Sequence, residues 1–277
     1  MSMKPANTSL RLGLALGLGF LLLGLLSAVW TPYDISQLAV SQRLQGPSAQ
    51  HWLGTDQLGR DVLSLLMKGA ATSLGVAFVA VSLGACLGLP LGLWAAARAG
   101  WVDEAVMRAG DVVFAFPSLL LAILLSTWLG PGRSSVILAI AVFNVPVFAR
   151  VVRAGALSLW ARDFILAARV AGKGPLLISW QHLLPNLSGL LLVQLSIQFS
   201  VGLLAEAGLS YLGLGAQPPV ASWGRMLAEA QTLTALAPSL ALFPGLALVL
   251  AVLGFNLLGE GLRQHWDPQR EAAKAMP

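Results

Sequence analysis

Residues 162–186 have the sequence RDFILAARVAGKGPLLISWQHLLPN, a polar segment that a Gly-Lys-Gly-Pro break divides into two parts with helix-forming residues. The rest of the chain is strongly apolar: 57% of its 277 residues are hydrophobic, 10% are charged, and the mean hydropathy is +0.77. Soluble domains carry about 25% charged residues, so the composition predicts an integral membrane protein. A polar segment of this length needs a partner outside the lipid, and it therefore indicates where function lies.

Six segments are long and apolar enough to cross a bilayer, which takes about 20 apolar residues in a helix. They are residues 12–30, 70–97, 109–129, 134–152, 187–209 and 240–262. The first is interpreted as a span and not as a cleaved signal peptide, because its apolar run is too long and no small-residue cleavage site is evident. Pro117 and Pro146 are expected to kink their helices. The predicted fold class is an all-α membrane protein.

The positive charges give the orientation. With six spans both termini lie on one side, and Lys and Arg collect in cytoplasmic loops. An inside N-terminus places 12 of the 17 Lys and Arg residues on the cytoplasmic side and five on the other. Both termini and residues 162–186 are therefore predicted to be cytoplasmic. The net charge of +5 is then a topology signal, and no nucleic-acid partner is expected.

The first part of the polar segment predicts a short helix. Residues 163–171 are good helix formers, and four apolar side chains recur at helical spacing on one face. These are Phe164, Ala167, Ala168 and Ala171. Small residues let a helix approach a cleft in a partner closely, and Phe164 or Arg169 would supply an anchor. The alternative is a linker helix that lies on the membrane.

The second part predicts a sharp turn and another short helix. Gly172 and the glycine two residues later permit the turn around Lys173, and Pro175 suits the first position of a new helix. This helix is expected to end at Pro185 and Asn186. Two short helices that meet at an angle result.

Ala-Ala at 167–168, Gly172 and Leu-Pro at 184–185 together resemble the EAA loop of permease subunits of bacterial ABC importers. In that family the loop forms a coupling helix that sits in a groove of a separate ATPase subunit. The residues to which the resemblance assigns this role are Asp163, Phe164, Ala167, Ala168, Arg169, Gly172, Lys173 and Pro185. Two positions depart from the pattern: Leu166 replaces the usual Glu, and His182 replaces a branched apolar residue.

Two further stretches resemble the dipeptide, oligopeptide and nickel permease family, in its second subunit type. HWLGTDQLGRD at 51–61 follows the first span, and SYLGLGAQPPVASWG at 210–224 follows the fifth. The resemblance extends to Asp267-Pro268 and implies the transmembrane domain of a type I ABC importer. The implied division is residues 1–69 for the N-terminal tail, first helix and outer loop, 70–270 for the permease core, and 271–277 for the C-terminal tail.

The outer charges have two interpretations. Under the resemblance, Asp56, Arg60 and Asp61 contact the substrate-binding protein together with Trp223, which is expected at headgroup depth. Alternatively, the charges bracket a tight turn, with Asp capping a helix that begins near Gly59, and fix the loop onto the outer membrane face.

Few polar residues lie within the predicted spans. Glu206 is the only acidic residue well inside a predicted span, and an intramembrane carboxylate is costly unless it has a partner or a function. A structural role is expected, as an outer-gate hydrogen bond or an ion pair with Arg225, with cargo contact as the alternative. Asn144, Gln194 and Gln198 either line the path or bond between helices.

No catalytic or metal site is evident in the sequence. The three histidines lie in different predicted loops, and the single Cys86 stands in an apolar run. Gly172-Lys173 lacks the rest of the phosphate-binding pattern G-x-x-x-x-G-K-[ST], because residue 167 is Ala and residue 174 is Gly. Energy from ATP must therefore come from another subunit.

The leading hypothesis is the membrane-spanning subunit of an ABC importer in the bacterial inner membrane, working by alternating access. The resemblance implies a homologous permease subunit, two ATPase subunits that bind ATP and Mg, and a periplasmic or lipid-anchored substrate-binding protein. No cofactor is expected in this chain, and membrane lipid surrounds it. Peptides, nickel and metal chelates all stay open as cargo. The alternative is an ion-driven secondary carrier or channel, which would need intramembrane ionisable groups or a polar filter; a purely structural scaffold is a third reading.

Overall fold

A computed structural model describes residues 8–265, and this part of the chain is helical. Its α-helices are α1 (Thr8–Val29), α2 (Val62–Arg98), α3 (Trp101–Ala115), α4 (Ser118–Leu129), α5 (Arg133–Trp160), α6 (Asp163–Val170), α7 (Pro175–Ile178), α8 (Leu184–Tyr211), α9 (Trp223–Ala230) and α10 (Ser239–His265). Short 3-10 turns lie at Val40–Gln42 and Gln231–Leu233. The predictions for Asp267-Pro268 and the tail 271–277, and for three of the Lys and Arg residues counted as cytoplasmic (Lys4, Arg270 and Lys274), lie outside the described residues.

Five helices of the described part are long and apolar enough to cross a membrane. They are α1, α2, α5, α10 and the continuous helix Pro175–Tyr211, which contains α7 and α8. The third predicted span, residues 109–129, is wrong as a single helix, because α3 and α4 meet at 86°. Pro117 lies at this break: it lacks an N–H and keeps Phe116 extended, with ψ 131°. By contrast, α5 continues through Pro146.

The bundle has two ends. The outer-loop end carries residues 30–61, between α1 and α2, and residues 212–238, between α8 and α10. The coupling-loop end carries α6 and the turn that leads into α7. These two ends correspond to the sides that the charge distribution predicts to be outer and cytoplasmic.

The central contact of the bundle joins α2 to α5. Gly84, Gly88 and Gly92 recur every four residues along α2, and a Cβ added at Gly88 or Gly92 would lie 2.5 Å from a carbonyl oxygen of α5. Small residues at this spacing let membrane helices approach closely. Because α5 leads directly into α6, this tight pair connects the coupling loop to the centre of the bundle.

Candidate functional site

The turn of the polar segment is built around Gly172, which takes φ +80°, a left-handed conformation that residues with a Cβ resist. Its N–H donates to the carbonyl of Arg169 at 2.9 Å, and the N–H of Lys173 donates to the carbonyl of Ala168 at 3.1 Å. These two bonds form the Schellman pattern, which satisfies carbonyls at a helix end. The expected helix and sharp glycine turn are therefore present.

Replacing Gly172 with alanine is expected to weaken this turn by about 1–2 kcal/mol, the cost of placing an L-residue in the left-handed region. A Cβ at Gly172 would meet no atom within 4 Å, so the cost comes from the backbone alone. Gly174 is the matched control, because its surroundings are equally open and its φ is −72°. Hydrogen exchange of the amides of residues 169–174 measures the difference, and equal exchange in the two alanine variants would contradict the assignment.

The two sides of α6 differ from the predicted arrangement. Ile165 and Ala168 are buried against the coupling-loop ends of α2, α5 and α8. Phe164 is 44% exposed, and Ala167 is exposed beside it. The prediction that Ala168 shares one free face with Phe164 and Ala167 is therefore wrong, because Ile165 is the large apolar residue that packs inward and Ala168 follows it at helical spacing.

An apolar surface on α6 faces away from the bundle. We call it the docking face and define it by Phe164, Leu166, Ala167 and Val170, of which Val170 is 90% exposed. Leu166, where the sequence departs from the EAA pattern, thus extends the apolar surface. Sequence reasoning missed Val170, although Leu166 and Val170 stand four residues apart, the spacing of neighbours on a helix face.

Arg169 and Lys173 make their contacts within the chain. The guanidinium carbon of Arg169 lies 4.6 Å from the centre of the Trp160 ring, a cation-π contact with the last residue of α5. Lys173 Nζ donates to Gln181 Oε1 at 2.9 Å and lies 3.0 Å from His182 Nε2. These contacts tie α6 to α5 and tie the turn to the helix that follows it.

Pro185 does not end the second helix, contrary to prediction. One helix of 37 residues runs over Pro175–Tyr211, and it passes Pro185 by means of a π-helical turn at Ser179–Leu183. Pro185 falls in the first turn of α8, directly after the wider π turn. Asn186 does not stop the helix either, since its side chain donates to the carbonyl of His182 at 2.7 Å. The polar segment is therefore one short helix joined to a long one.

Asp56 and Arg60 hold the outer loop together. Asp56 Oδ1 accepts the N–H groups of Leu58 and Arg60, each at 2.8 Å, and Oδ2 accepts Arg60 Nε at 2.6 Å. Arg60 also donates to Glu229 of α9 at 3.1 Å. The side chains of Asp56 and Arg60 are nearly buried, so these contacts match the interpretation in which the charges fix the loop.

Asp61 caps α2, which begins at Val62 and not near residue 59 as predicted. Its Oδ2 accepts the N–H of Ser64 at 2.8 Å, the N-cap bond that satisfies a free donor at a helix start. Its Oδ1 lies 3.0 Å from Nδ1 of His51. Asp61 is buried, and Thr55 pairs with it in an isolated β-bridge that closes the expected tight turn.

Trp223 is fully buried, with 0% of its surface exposed. Its Nε1–H donates to the carbonyl of Leu66 at 3.1 Å, and its ring meets Phe20 edge-on with centroids 5.5 Å apart. The expectation that Trp223 contacts a binding protein is wrong, because Ser222 caps α9 and the following side chain enters the space between α1 and α2. Trp52, in contrast, is 67% exposed.

Glu206 does not pair with Arg225, contrary to prediction. Arg225 Nε donates to Glu229 at 2.9 Å within α9. Glu206 is 1% exposed and accepts the hydroxyl of Ser210 at 2.7 Å, while its Oε2 has no hydrogen-bond partner among the described residues. The expected hydrogen bond near the outer-loop end is thus present, but its partner is a serine one turn along α8.

A cavity of about 380 Å³ lies between α4, α5 and α8. It brings Asn144 and Gln198 together with Ser118, whereas Gln194 is not part of its lining. Asn144 donates to the carbonyl of Ile140 at 2.8 Å, and its Oδ1 has no partner among the described residues. The cavity therefore has a largely apolar lining, and the Asn144 Oδ1 atom beside it is buried.

Ion pairs hold α3 against α5 at the coupling-loop end. Both carboxylate oxygens of Asp103 accept from the guanidinium of Arg153. Asp111 accepts from Arg150, whose guanidinium carbon also lies 4.6 Å from the centre of the Phe114 ring. We call these contacts the α3–α5 clamp. It connects the helix that leads into α6 with the helix that leads into α4.

Comparison with known proteins identifies the chain's relatives. Residues 88–271 match the family model described as binding-protein-dependent transport system inner membrane component. The chain is 41% identical over 260 residues to a dipeptide transport system permease protein of Alkalihalophilus pseudofirmus, covering 94% of this chain and 86% of that protein. It is 43% identical over 255 residues to a glutathione transport system permease protein of Pectobacterium atrosepticum, covering 90% and 85%.

The fold also matches a solved transporter. The matched structure is an inward-facing form of the MetNI methionine ABC transporter. The match has a TM-score of 0.60 and 20% sequence identity, and it covers 73% of this chain and 95% of that chain. This likeness confirms the expected transmembrane-domain fold, and the sequence matches confirm the resemblance drawn from the motifs. The chain therefore belongs to the family of binding-protein-dependent transport system inner membrane components.

Proposed function

We propose that this membrane component forms part of an importer for di- or oligopeptides or peptide-like compounds such as glutathione. The names of the two relatives described above support this cargo class over nickel or a metal chelate. The observation that carries the mechanism is the docking face of α6, which is apolar, exposed and joined to α5 through only Ala161 and Arg162. Such a surface at the end of a membrane bundle fits a groove in a separate subunit.

The docking face is assigned to an ATPase subunit, and ATP and Mg are assigned to that partner. Phe164 and Val170 supply apolar contact area, while Ala167 allows close approach of the helix backbone. Asp163, in the first turn of α6, is exposed beside them. This assignment makes the coupling-loop end cytoplasmic, in agreement with the excess of Lys and Arg at that end.

Movement of α6 reaches the cavity through a continuous chain of contacts. α6 follows α5, and α5 holds α3 through the α3–α5 clamp. α3 leads through the break at Pro117 into α4, whose Ser118 lines the cavity. We infer that a displacement of α6 on ATP binding moves α5 and α3 together and changes the position of α4 at the cavity.

Replacing Asp103 with asparagine is expected to reduce ATP-driven uptake about fivefold, corresponding to a loss of roughly 1 kcal/mol of coupling, at the lower end of the usual range. The ATPase rate should stay close to that of the wild type, because α6 is unchanged. Glu104→Gln is the matched control, since it removes an exposed pair with Arg108 inside α3. Uptake and hydrolysis measured on the same proteoliposomes test this; an equal loss of uptake in both variants would contradict the clamp.

The cavity is expected to be completed by a homologous permease subunit. Its walls are formed by α4, α5 and α8, and its lining includes exposed apolar residues of α8 such as Val201 and Leu204. A second, related subunit on this face would enclose the space between two apolar walls. Two ATPase subunits and a periplasmic or lipid-anchored binding protein complete the proposed assembly.

Reconstitution tests the proposed function directly. Proteoliposomes that contain this chain, its partner permease and both ATPases should accumulate a labelled dipeptide when the binding protein and ATP are supplied. Accumulation should stop when the ATPases carry a substitution of their phosphate-binding lysine. Dipeptide flux driven by an ion gradient through this chain alone would instead support a secondary carrier.

A further inference from the structure

The cavity between α4, α5 and α8 contains a polar side chain whose hydrogen-bonding groups the described part of the chain does not use. Gln198 lines the cavity from α8, is half-buried, and makes no hydrogen bond through its carboxamide to any described residue. Asn144, the other carboxamide of the lining, already donates to the carbonyl of Ile140, and its oxygen is buried. Gln198 is therefore the carboxamide of this cavity that is available to a bound molecule.

Gln198 lies at the deep end of the cavity, about halfway along the bundle. It stands near the middle of α8, level in sequence terms with Val147 near the middle of α5, and both residues line the cavity. Toward the outer-loop end the lining continues along α8 to Leu209. A molecule that enters from the outer-loop end would therefore meet Gln198 where the cavity reaches furthest into the bundle.

The rest of the lining restricts what can bind there. Among the described residues that line the cavity none is charged, so the charged ends of a short peptide find no ion pair in it. An apolar wall also penalises a polar group that has no hydrogen-bond partner. A peptide group carries one N–H donor and one C=O acceptor, and a carboxamide offers the matching acceptor and donors. The lining thus suits the middle of a short peptide better than its termini.

The size of the cavity agrees with a small cargo. Its volume of about 380 Å³ is toward the lower end of the range for small-molecule sites, about 300–1,000 Å³. Ser118, the first residue of α4, also lines the cavity. The contacts that connect α6 to α4 therefore end at the same cavity, and a displacement of α4 would alter the space beside Gln198.

We propose that Gln198 binds a peptide group of the cargo as the cargo passes the middle of the bundle. This inference rests on the peptide cargo class proposed above. The carbonyl oxygen of Gln198 accepts the peptide N–H, and its amide N–H donates to the peptide C=O. Recognition then depends on the cargo backbone and not on its side chains, so peptides of different sequence can pass.

An ester analogue of the cargo tests this hydrogen bond, because an oxygen in place of the amide nitrogen removes the donor to the Gln198 carbonyl. Proteoliposomes with the complete transporter take up labelled alanyl-alanine or alanyl-lactate. Each cargo is supplied at a concentration that saturates the binding protein, so that the maximal uptake rates report the membrane step. The wild type should take up the dipeptide about fivefold faster than the ester, the effect of one net hydrogen bond of roughly 1 kcal/mol.

Gln198→Leu should abolish this preference and slow dipeptide uptake about fivefold. Gln194→Leu is the matched control, because it makes the same change one turn away on α8, at a half-buried residue outside the lining. The control should keep the fivefold preference, and chromatography should recover both variants as assembled complexes.

A Gln198→Leu transporter that still prefers the dipeptide fivefold would overturn the proposal. If this variant also lost the partner permease on chromatography, Gln198 would be assigned to the contact between the subunits instead. Equal uptake of the two cargoes by the wild type would refute only the role of Gln198. A wild type that takes up no dipeptide, although its ATPases hydrolyse ATP, would refute the proposed cargo class and this inference with it.

Discussion

Replacing Trp223 with alanine is expected to lower the free energy of unfolding by about 3–5 kcal/mol, the usual cost of truncating a buried Trp. The indole fills the space between Phe20 of α1 and Gly69 of α2, where a Cβ on Gly69 would lie 2.8 Å from the ring. Its loss also leaves the carbonyl of Leu66 without the indole donor. Thermal unfolding of the purified assembly in detergent measures the effect. ATP-driven uptake should fall as well, because α9 loses its packing against α1 and α2.

Two variants separate packing from hydrogen bonding at this position. Trp223→Phe keeps most of the volume and removes the N–H, so it should cost about 1–3 kcal/mol. Trp52→Ala is the exposed control and should stay within about 0.5 kcal/mol of the wild type. A Trp223→Ala protein that unfolds like the Trp52→Ala protein would contradict the structural role given to the buried indole.

Removal of the Glu206 side chain is the second large effect. Glu206→Ala is expected to cost about 3 kcal/mol, because it empties a fully buried position and leaves the Ser210 hydroxyl without its acceptor. Ser73 and Ser222 also lie beside the carboxyl group. Each of these two hydroxyls accepts a backbone N–H at the start of α9, from Trp223 and Arg225 respectively. The carboxyl group therefore lies next to the two hydroxyls that bind the start of α9.

The conservative variant decides whether Glu206 acts through position or through charge. Glu206→Gln keeps an acceptor for Ser210 and nearly the same volume, so it should recover most of the stability and uptake lost in Glu206→Ala. Glu104→Gln, which alters an exposed pair, should change stability by less than about 1 kcal/mol. Uptake that is lost in Glu206→Gln while stability is retained would contradict a packing role and favour cargo contact.

Hydropathy predicted most of the membrane crossings because length and apolar content decide whether a helix can span a bilayer. It could not predict the bend between α3 and α4, since apolar runs on either side of a proline look like one run in a hydropathy window. It also underestimated α2, which extends from Val62 to Arg98, because Lys68, whose side chain donates to the carbonyl of Ser27 in α1, interrupts the apolar run in the sequence. Turn chemistry was more specific: Gly172 was predicted from its place after a helix and adopts the expected conformation.

Contacts between distant parts of the chain were the limit of sequence reasoning. Trp223 and its acceptor Leu66 are 157 positions apart, and no local pattern predicts that this Trp turns inward. No local pattern predicted the partner of Arg225 either. Arg225 pairs with Glu229 one turn away, and Glu206 accepts the hydroxyl of Ser210 instead. At α6 the helical spacing placed Phe164 and Ala167 on the exposed face correctly but added Ala168 to it wrongly, because only packing decides which small residue turns inward beside Ile165.

The unbroken helix from Pro175 to Tyr211 has a mechanical consequence. Its 37 residues make a rod of roughly 55 Å, with one end at the coupling loop and the other beside α9. Its buried residues pack against the bundle from Ile178 at the coupling-loop end to Leu209 at the outer-loop end, so a displacement at one end is passed along the rod through the packing of the bundle. The π-helical turn at Ser179–Leu183 is the one irregular turn along this helix. Its stiffness therefore affects how much of a displacement of α6 reaches the outer-loop end of the helix.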